Sequence, residues 1–416
     1  MAVLSKFTVY TALAVGGALV YYDRVASEAT KFHLLSSAGP LLRLLDPETT
    51  HILGIEAAKL GLFPKENRPD HPVLHTSVWG RQLNNPIGLA AGFDKHGEIV
   101  EPMLGLGFGF VEIGSVTPKP QPGNSKPRVF RIPDLQATIN RYGFNSLGAD
   151  AVADNLLMFH KKAREEPHIK SGLLGVNLGK NKSSKDAGTD YSLGLNKLGE
   201  LGDYCVINIS SPNTPGLRAL QSRKALEELV TQVKGTRDRM RWGPAGPPPL
   251  LIKIAPDLTD QDKQDIASVA LKHQVDGLIV SNTTITRPGA VGDYPEASEA
   301  GGLSGPPLMA LSTEVLADMY RLTGRGKITL IGCGGVSSGE DAYAKIRAGA
   351  SLVQLYTALA YQGPVVVPRI KAELAALLQR DGFSSVADAV GVDHEPGGVY
   401  ARPDDEKQAT RRWWMW

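Results

Sequence analysis

Cysteine is nearly absent: the 416 residues hold two, Cys205 and Cys333. Each sits inside an apolar run, so both read as small buried hydrophobes and a disulfide framework is excluded. An excess of one charge is missing as well. Lys and Arg total 45 against 43 Asp and Glu, a net charge of +2, which lacks the basic surplus of a dedicated nucleic-acid binder. No Cys/His pair has zinc-site spacing and no His-Glu-x-x-His run occurs, so no metal is expected. What is present is apolar mass and glycine. Hydrophobic residues make up 42% and charged residues 21%, enough for a large core. Glycine numbers 45, above its usual share of about 7%, as suits many tight turns and close backbone approach to a ligand. The length permits several domains, but one α/β barrel of roughly 250 residues or more would also account for most of it.

One uncharged apolar run stands out, Phe7 to Tyr22, preceded by Lys6 and followed by Asp23 and Arg24. As a helix it would span about 24 Å, a little under the roughly 30 Å of a bilayer core. Three readings stay open. The run is a short membrane anchor with snorkelling Lys6 and interfacial Tyr21 and Tyr22, a cleaved signal peptide lacking a good small-x-small site nearby, or a buried core helix. The absence of any acid before Asp23 is consistent with mitochondrial import. Downstream, Asp46-Pro47 is a helix start, Ile52, Leu53, Ile55 and Leu60 follow, and Gly61 can close the helix. Leu41, Leu42, Leu44 and Leu45 lie just before it. Two short helices this apolar either pack on the body of the chain or form an amphipathic platform in a membrane surface, open to a lipid-soluble ligand.

From residue 73 onward, apolar runs alternate with helical patterns. The runs 86–93, 110–117, 173–179, 203–210, 249–256, 277–283, 328–335 and 352–359 are near-continuously hydrophobic, as parallel strands buried on both faces are. Between them, Leu226, Leu229, Val230 and Val233 follow helical spacing. Thr259 with Asp262 and Ser338 with Asp341 resemble capping boxes, and Gly349 fits a helix stop. Eight β-then-α units predict a closed (β/α)₈ barrel, class α/β. Residues 73–85 read as a hairpin plugging the barrel bottom, 121–142 as an insertion that adds a hairpin beside the active face, and 243–249 as a rigid loop. Gly105, Gly107 and Gly109 imitate a dinucleotide fingerprint. They precede a strand instead of following one, so they read as an αβ turn.

Active groups in such barrels project from the C-terminal strand ends. Those ends and the close of the insertion carry six asparagines: Asn140, Asn145, Asn177, Asn208, Asn213 and Asn282. Asparagine is a poor strand former. A carboxamide both donates and accepts, so a cluster can bracket a flat neutral heterocycle. Gly334-Gly335 leads into a helix after strand seven, and Gly301-Gly302-Leu303-Ser304-Gly305 precedes that strand. With Tyr356 and Thr357 ending strand eight, this is where such barrels commonly hold phosphate, on backbone N–H groups at a helix start. A lysine within a strand, Lys253, is costly unless used. Together these features suggest FMN and a small planar substrate, with Lys253 stabilising the anionic reduced flavin.

The runs Gly92-Phe93-Asp94-Lys95, Asn140-Arg141-Tyr142-Gly143-Phe144-Asn145, Asn208-Ile209-Ser210-Ser211-Pro212-Asn213-Thr214 and the Gly335 segment resemble the class 2, quinone-linked dihydroorotate dehydrogenases of pyrimidine synthesis. The resemblance covers about residues 28–394. It implies oxidation of (S)-dihydroorotate to orotate. Ser211 would be the base that takes a proton from C5 while hydride leaves C6 for FMN, one per chain, and then a membrane quinone, ubiquinone. Soluble relatives place cysteine at the Ser211 position. The resemblance puts Lys95, Asn140, Asn208, Asn213, Asn282 and Thr283 around the substrate, with Arg141, Tyr142, Gly143, Phe144 and Thr214 in the same motifs. It puts Ala91, Gly92, Ser115, Asn140, Asn177, Asn208, Lys253, Ser281, Gly305, Gly335, Tyr356 and Thr357 around FMN, and His51 and Arg131 along a quinone tunnel. Cys333 and Ser281 are unusual choices in their runs, and the tail past 395 is extra.

The implied organisation is a targeting and transmembrane segment over 1–30, an amphipathic helix pair forming the tunnel over 31–68, the catalytic barrel over 69–395 and a polar tail over 396–416. The implied setting is the mitochondrial inner membrane with a single-pass anchor, or alternatively a bacterial inner membrane. Membrane lipid is then a partner, and no nucleic acid or obligatory protein partner is expected. Three other functions fit parts of the pattern: a lyase or aldolase using Lys253 as a Schiff base, an FMN barrel oxidising a hydroxy acid, and a tethered binding protein.

Overall fold

The computed structural model describes residue 22 and residues 25–402. The expected anchor over 7–22 therefore lies outside the described residues apart from Tyr22, as does most of the tail. Eight strands form the centre: β1 Ile87–Leu89, β2 Phe110–Val116, β3 Leu173–Leu178, β4 Tyr204–Asn208, β5 Leu250–Ile254, β6 Gly277–Val280, β7 Thr329–Cys333 and β8 Leu352–Leu355. Each pairs in parallel with the next, and β8 returns to β1, so the sheet closes in chain order. This is the (β/α)₈ barrel that the eight apolar runs predict. The strands are shorter than the runs at their C-terminal ends, because the rim residues leave the ladder to build the mouth. The runs 86–93 and 352–359 are cut most, and in the second a helix, Thr357–Gln362, starts at once.

Inward-facing side chains fill the barrel: Phe110, Tyr204, Leu251 and Ile331 are fully buried and belong to one cluster. Two strand glycines make room for the two rings. A Cβ on Gly88 would lie 2.3 Å from the Phe110 ring, and one on Gly175 would lie 2.2 Å from that of Tyr204. Above them sits a fully buried carboxylate, Glu112. It accepts from Asn177 at 2.8 Å, Gln354 at 2.7 Å and Tyr204 at 3.1 Å. Bonds to a charged group contribute about 1.5–3 kcal/mol each, which offsets the several kcal/mol of burying the ion.

The bottom plug takes the expected form. Thr76–Val78 pairs antiparallel with Arg81–Leu83. Trp79 between them packs against Tyr204, ring centroids 5.3 Å apart, and donates to the Asp276 carbonyl. The glycines at 105–109 lie in an αβ turn: the helix Val100–Gly105 ends there and β2 begins at Phe110. The 121–142 insertion contains the hairpin Val129–Ile132 with Ala137–Asn140. A third strand, Gly302–Ser304, joins its edge from the connection between β6 and β7. The run 301–305, expected only to precede strand seven, thus supplies a strand of its own.

Three helices precede the barrel where two were expected: α1 Glu28–Ser37, α2 Gly39–Leu42 and α3 Pro47–Lys59. Asp46 caps α3 by accepting from the Thr49 N–H at 2.9 Å. Their outer surface is apolar, with Leu41 71%, Leu44 83% and Leu60 75% exposed. Among the described residues, no helix is long and apolar enough to cross a membrane.

Candidate active site

A single cavity of about 650 Å³ begins among the barrel's C-terminal strand ends and runs out between α1, α2 and α3. Cofactor and substrate sites commonly fall at about 300–1,000 Å³. Three stretches of wall differ in chemistry.

The inner stretch is polar. Lys95, Asn140, Tyr142, Gly143, Phe144, Asn208, Ser211, Asn213, Asn282 and Thr283 all line it. The amides hold each other in place. Asn282 Nδ2 donates to Ser210 Oγ at 2.8 Å, and Ser210 Oγ donates to Asn208 Oδ1 at 2.8 Å. Asn208 Nδ2 donates to Ser115 Oγ at 2.9 Å and to Asn177 Oδ1 at 3.1 Å. Asn213 Nδ2 donates to the Asn140 carbonyl at 3.1 Å. Carboxamides fixed this way present edges of set polarity, and little reorganisation remains when a ligand arrives. Lys95 Nζ lies 4.1 Å above the Tyr142 ring, and burial lowers the lysine to about 8.

The middle stretch is lined by Ala91, Gly92, Ser115, Lys253, Ser281, Gly305, Gly335, Tyr356 and Thr357. Gly305 and Gly335 have φ of +100° and +84°. A Cβ on Gly335 would lie 2.4 Å from the Met309 backbone, so only glycine leaves that turn open. The expected phosphate donors at the following helix need correction. The Ser337 N–H is given to Asp341 at 2.9 Å and the Gly339 N–H to Glu373 at 2.7 Å, so those donors are already satisfied. What faces the cavity is the turn from Gly334 to Ser337, whose Ser337 N–H is already given to Asp341. Behind it, Ser312 Oγ donates to the Gly334 carbonyl at 2.8 Å. The fully buried Lys345 donates to Ser312 at 2.8 Å and Thr313 at 3.0 Å. Burial lowers Lys345 to about 7.

The outer stretch is apolar and includes Leu35, Leu42, Leu53, Phe63 and Leu359, with His51 and Arg131 among them. His51 Nε2 meets the Phe93 carbonyl at 2.8 Å, which requires a proton on that nitrogen. Burial first, and then Lys95, lower its pKa to about 4, so the ring is neutral. Arg131 donates to the Arg43 and Leu45 carbonyls, both at 2.9 Å, pinning the turn between α2 and α3.

Three expected site residues do not line the cavity. Arg141 points outward, to Glu299 at 2.5 Å and the Pro127 carbonyl at 3.0 Å. Asn177 stands behind Ser115 and Asn208, bonded to Glu112. Thr214 is buried, and among the described residues its hydroxyl has no partner. The sequence reading missed Gln354 and Ser304, which do line it; Thr357 Oγ1 donates to Ser304 Oγ at 3.0 Å. A strand glutamine in an apolar run was a usable signal for Gln354, by the same logic that marked Lys253.

The chain matches the sequence profile described as dihydroorotate dehydrogenase over residues 73–378. It is 60% identical over 370 residues to the mitochondrial dihydroorotate dehydrogenase (quinone) of Oryza sativa subsp. japonica, covering 85% of this chain and 79% of the relative. It is 55% identical over 412 residues to the mitochondrial enzyme of the same name from Arabidopsis thaliana, covering 94% and 88%. A crystal structure of the Eimeria tenella enzyme in complex with ferulenol superimposes with a TM-score of 0.82 at 42% identity, over 86% of this chain and 99% of that one.

Proposed function

The chain belongs to the dihydroorotate dehydrogenase family, and from that premise we propose that this cavity joins two half-reactions, substrate oxidation at the amide-lined end and quinone reduction at the apolar end. The activity is the oxidation of dihydroorotate to orotate in pyrimidine biosynthesis, with a quinone as acceptor. The single observation that carries the proposed division of labour is continuity: Ser211 and Leu42 line the same space.

The middle stretch fits FMN. The open turn at Gly334 and Gly335 suits a phosphate that must approach backbone, and Ser115, Asn208 and Lys253 present hydrogen-bonding groups to the polar edge of a flat ring. When bound there, FMN supplies a two-electron acceptor between the two substrates. Lys253 supplies positive charge where the reduced ring would be anionic. Lys95 binds the carboxylate of dihydroorotate, and Asn140, Asn208, Asn213 and Asn282 fix its ring amides. Ser211 Oγ receives the C5 proton while its own hydroxyl proton is released to water in the cavity, and the C6–H bond breaks with its electron pair, as hydride, toward the two-electron acceptor that FMN would supply. Neutral His51, held at the Phe93 carbonyl, and Arg131 line the quinone's path.

The exposed leucines of α2 and of the segment between α2 and α3 would lie in the membrane surface, placing the outer mouth where a quinone dissolves. We place the chain at the mitochondrial inner membrane; the plant relatives named mitochondrial support the compartment, and bacterial members of the family are named as well. The test uses the purified full chain in detergent. Acid-released flavin should equal one FMN per chain, and dihydroorotate with a short-tailed ubiquinone should yield orotate and quinol in equal amounts. A chain without flavin, or orotate formed without quinone reduction, would overturn the proposed route.

A further inference from the structure

The start of α3 carries a buried acid. Glu48 is 7% exposed, and Arg128, 80 residues away, clamps it with Nε to Oε2 at 3.0 Å and Nη2 to Oε1 at 2.7 Å. The remaining guanidinium nitrogen of Arg128 donates to the Pro122 carbonyl at 2.7 Å and the Asn124 carbonyl at 2.8 Å. Asn124 Nδ2 in turn donates to the carbonyls of Arg141 at 2.9 Å and Asn213 at 3.2 Å. The guanidinium lies 5.2 Å from the Tyr142 ring, whose face carries the Lys95 ammonium. A helix of the apolar module is thus joined by a bidentate charged pair to the wall that holds the substrate's cationic partner. Bidentate pairs fix geometry as well as charge, and a buried pair left with one member disturbs its surroundings strongly.

We propose that Glu48 is a positioning residue for substrate binding, acting through Arg128 on the 122–124 loop, Tyr142 and Lys95, so that α3 is part of the dihydroorotate site as well as of the quinone path. The proposal rests on the reading of Lys95 as the carboxylate partner. The charged and titratable groups that bear on Lys95 are Arg128 and Glu48 across the cavity wall, Tyr142 beneath it, and His51 and His96 nearby. Arg128 disfavours the lysine's charge and Glu48 favours it.

In the detergent-solubilised full chain, Glu48→Gln should raise KM for dihydroorotate about tenfold at near-normal kcat, the signature of lost binding, with FMN content and KM for quinone unchanged. The alkaline limb of kcat/KM should move to lower pH in Glu48→Gln, to higher pH in Arg128→Gln, and back toward wild type in the double variant. A purely structural role would not move the limb in opposite directions. If the single variants lose flavin, the double variant, which leaves no lone buried charge, carries the test through its two KM values. Unchanged KM for dihydroorotate, equal damage to both substrates, or a limb that does not respond overturns the proposal. Failure of wild-type enzyme to turn over dihydroorotate would instead overturn the functional reading.

Discussion

Ser211 Oγ accepts the backbone N–H of Asn213 at 3.3 Å, and among the described residues no carboxylate or imidazole bonds to that oxygen. A hydroxyl without an adjacent base abstracts a proton only as the substrate becomes acidic, so its contribution is that of a positioned general base, roughly 10²–10⁴-fold. Ser211→Ala should therefore slow dihydroorotate-dependent flavin bleaching by about that factor and leave reoxidation by quinone untouched. Stopped-flow on the two half-reactions separates them; normal bleaching would remove Ser211 from the chemistry.

With Lys95 as the proposed partner of the substrate carboxylate, its ammonium should set the alkaline boundary of substrate binding. Its folded value of about 8 means that the charged form, which pairs with a carboxylate, is lost as pH rises through that region. The kcat/KM for dihydroorotate should fall above about pH 8, while kcat/KM for quinone stays level. Lys95→Met should abolish this limb and leave a low, flat profile. A limb that survives the substitution assigns it to another group.

Lys345 has no carboxylate within ion-pair distance among the described residues and is lowered to about 7 by burial. In the unfolded chain a lysine titrates near about 10.4. Between these values the unfolded state binds more protons than the folded one, so this group makes stability increase with pH across that window. Lys345→Met should flatten the rise in apoprotein urea midpoint from pH 7 to pH 9.5. It should not remove the rise, because Lys95 contributes in the same direction. An unaltered slope would mean that Lys345 is not the buried titrating group.

Removal of residues 1–30 keeps α2, α3 and the Glu48–Arg128 pair while deleting the apolar run 7–22. The truncated protein should leave the membrane fraction with its flavin bound and its KM for dihydroorotate unchanged. Loss of flavin on truncation would show that the amino end is part of the cofactor site.

The barrel is legible in the sequence because strands buried on both faces must be apolar throughout, and eight such runs recur from Ile87 to Leu355. Their ends are not legible: Tyr356 and Thr357 look like more strand but begin a helix. The Gly302–Ser304 strand carries no alternation of its own. It exists because Asn140, Ile139 and Thr138 offer it an edge. Motif adjacency brings Asn208, Ser211 and Asn213 to one wall, yet it also swept in Arg141 and Thr214, whose side chains turn away. Glu48 with Arg128 was invisible, since nothing in either local sequence announces a partner 80 residues distant.

The most direct measurement is an anaerobic titration of the flavin-loaded full chain. One equivalent of dihydroorotate should bleach the flavin band and release one equivalent of orotate, and one equivalent of quinone should then restore the band. A protein that bleaches with dihydroorotate but recovers only with oxygen, or that is not bleached at all, would contradict the joining of the two ends of the cavity.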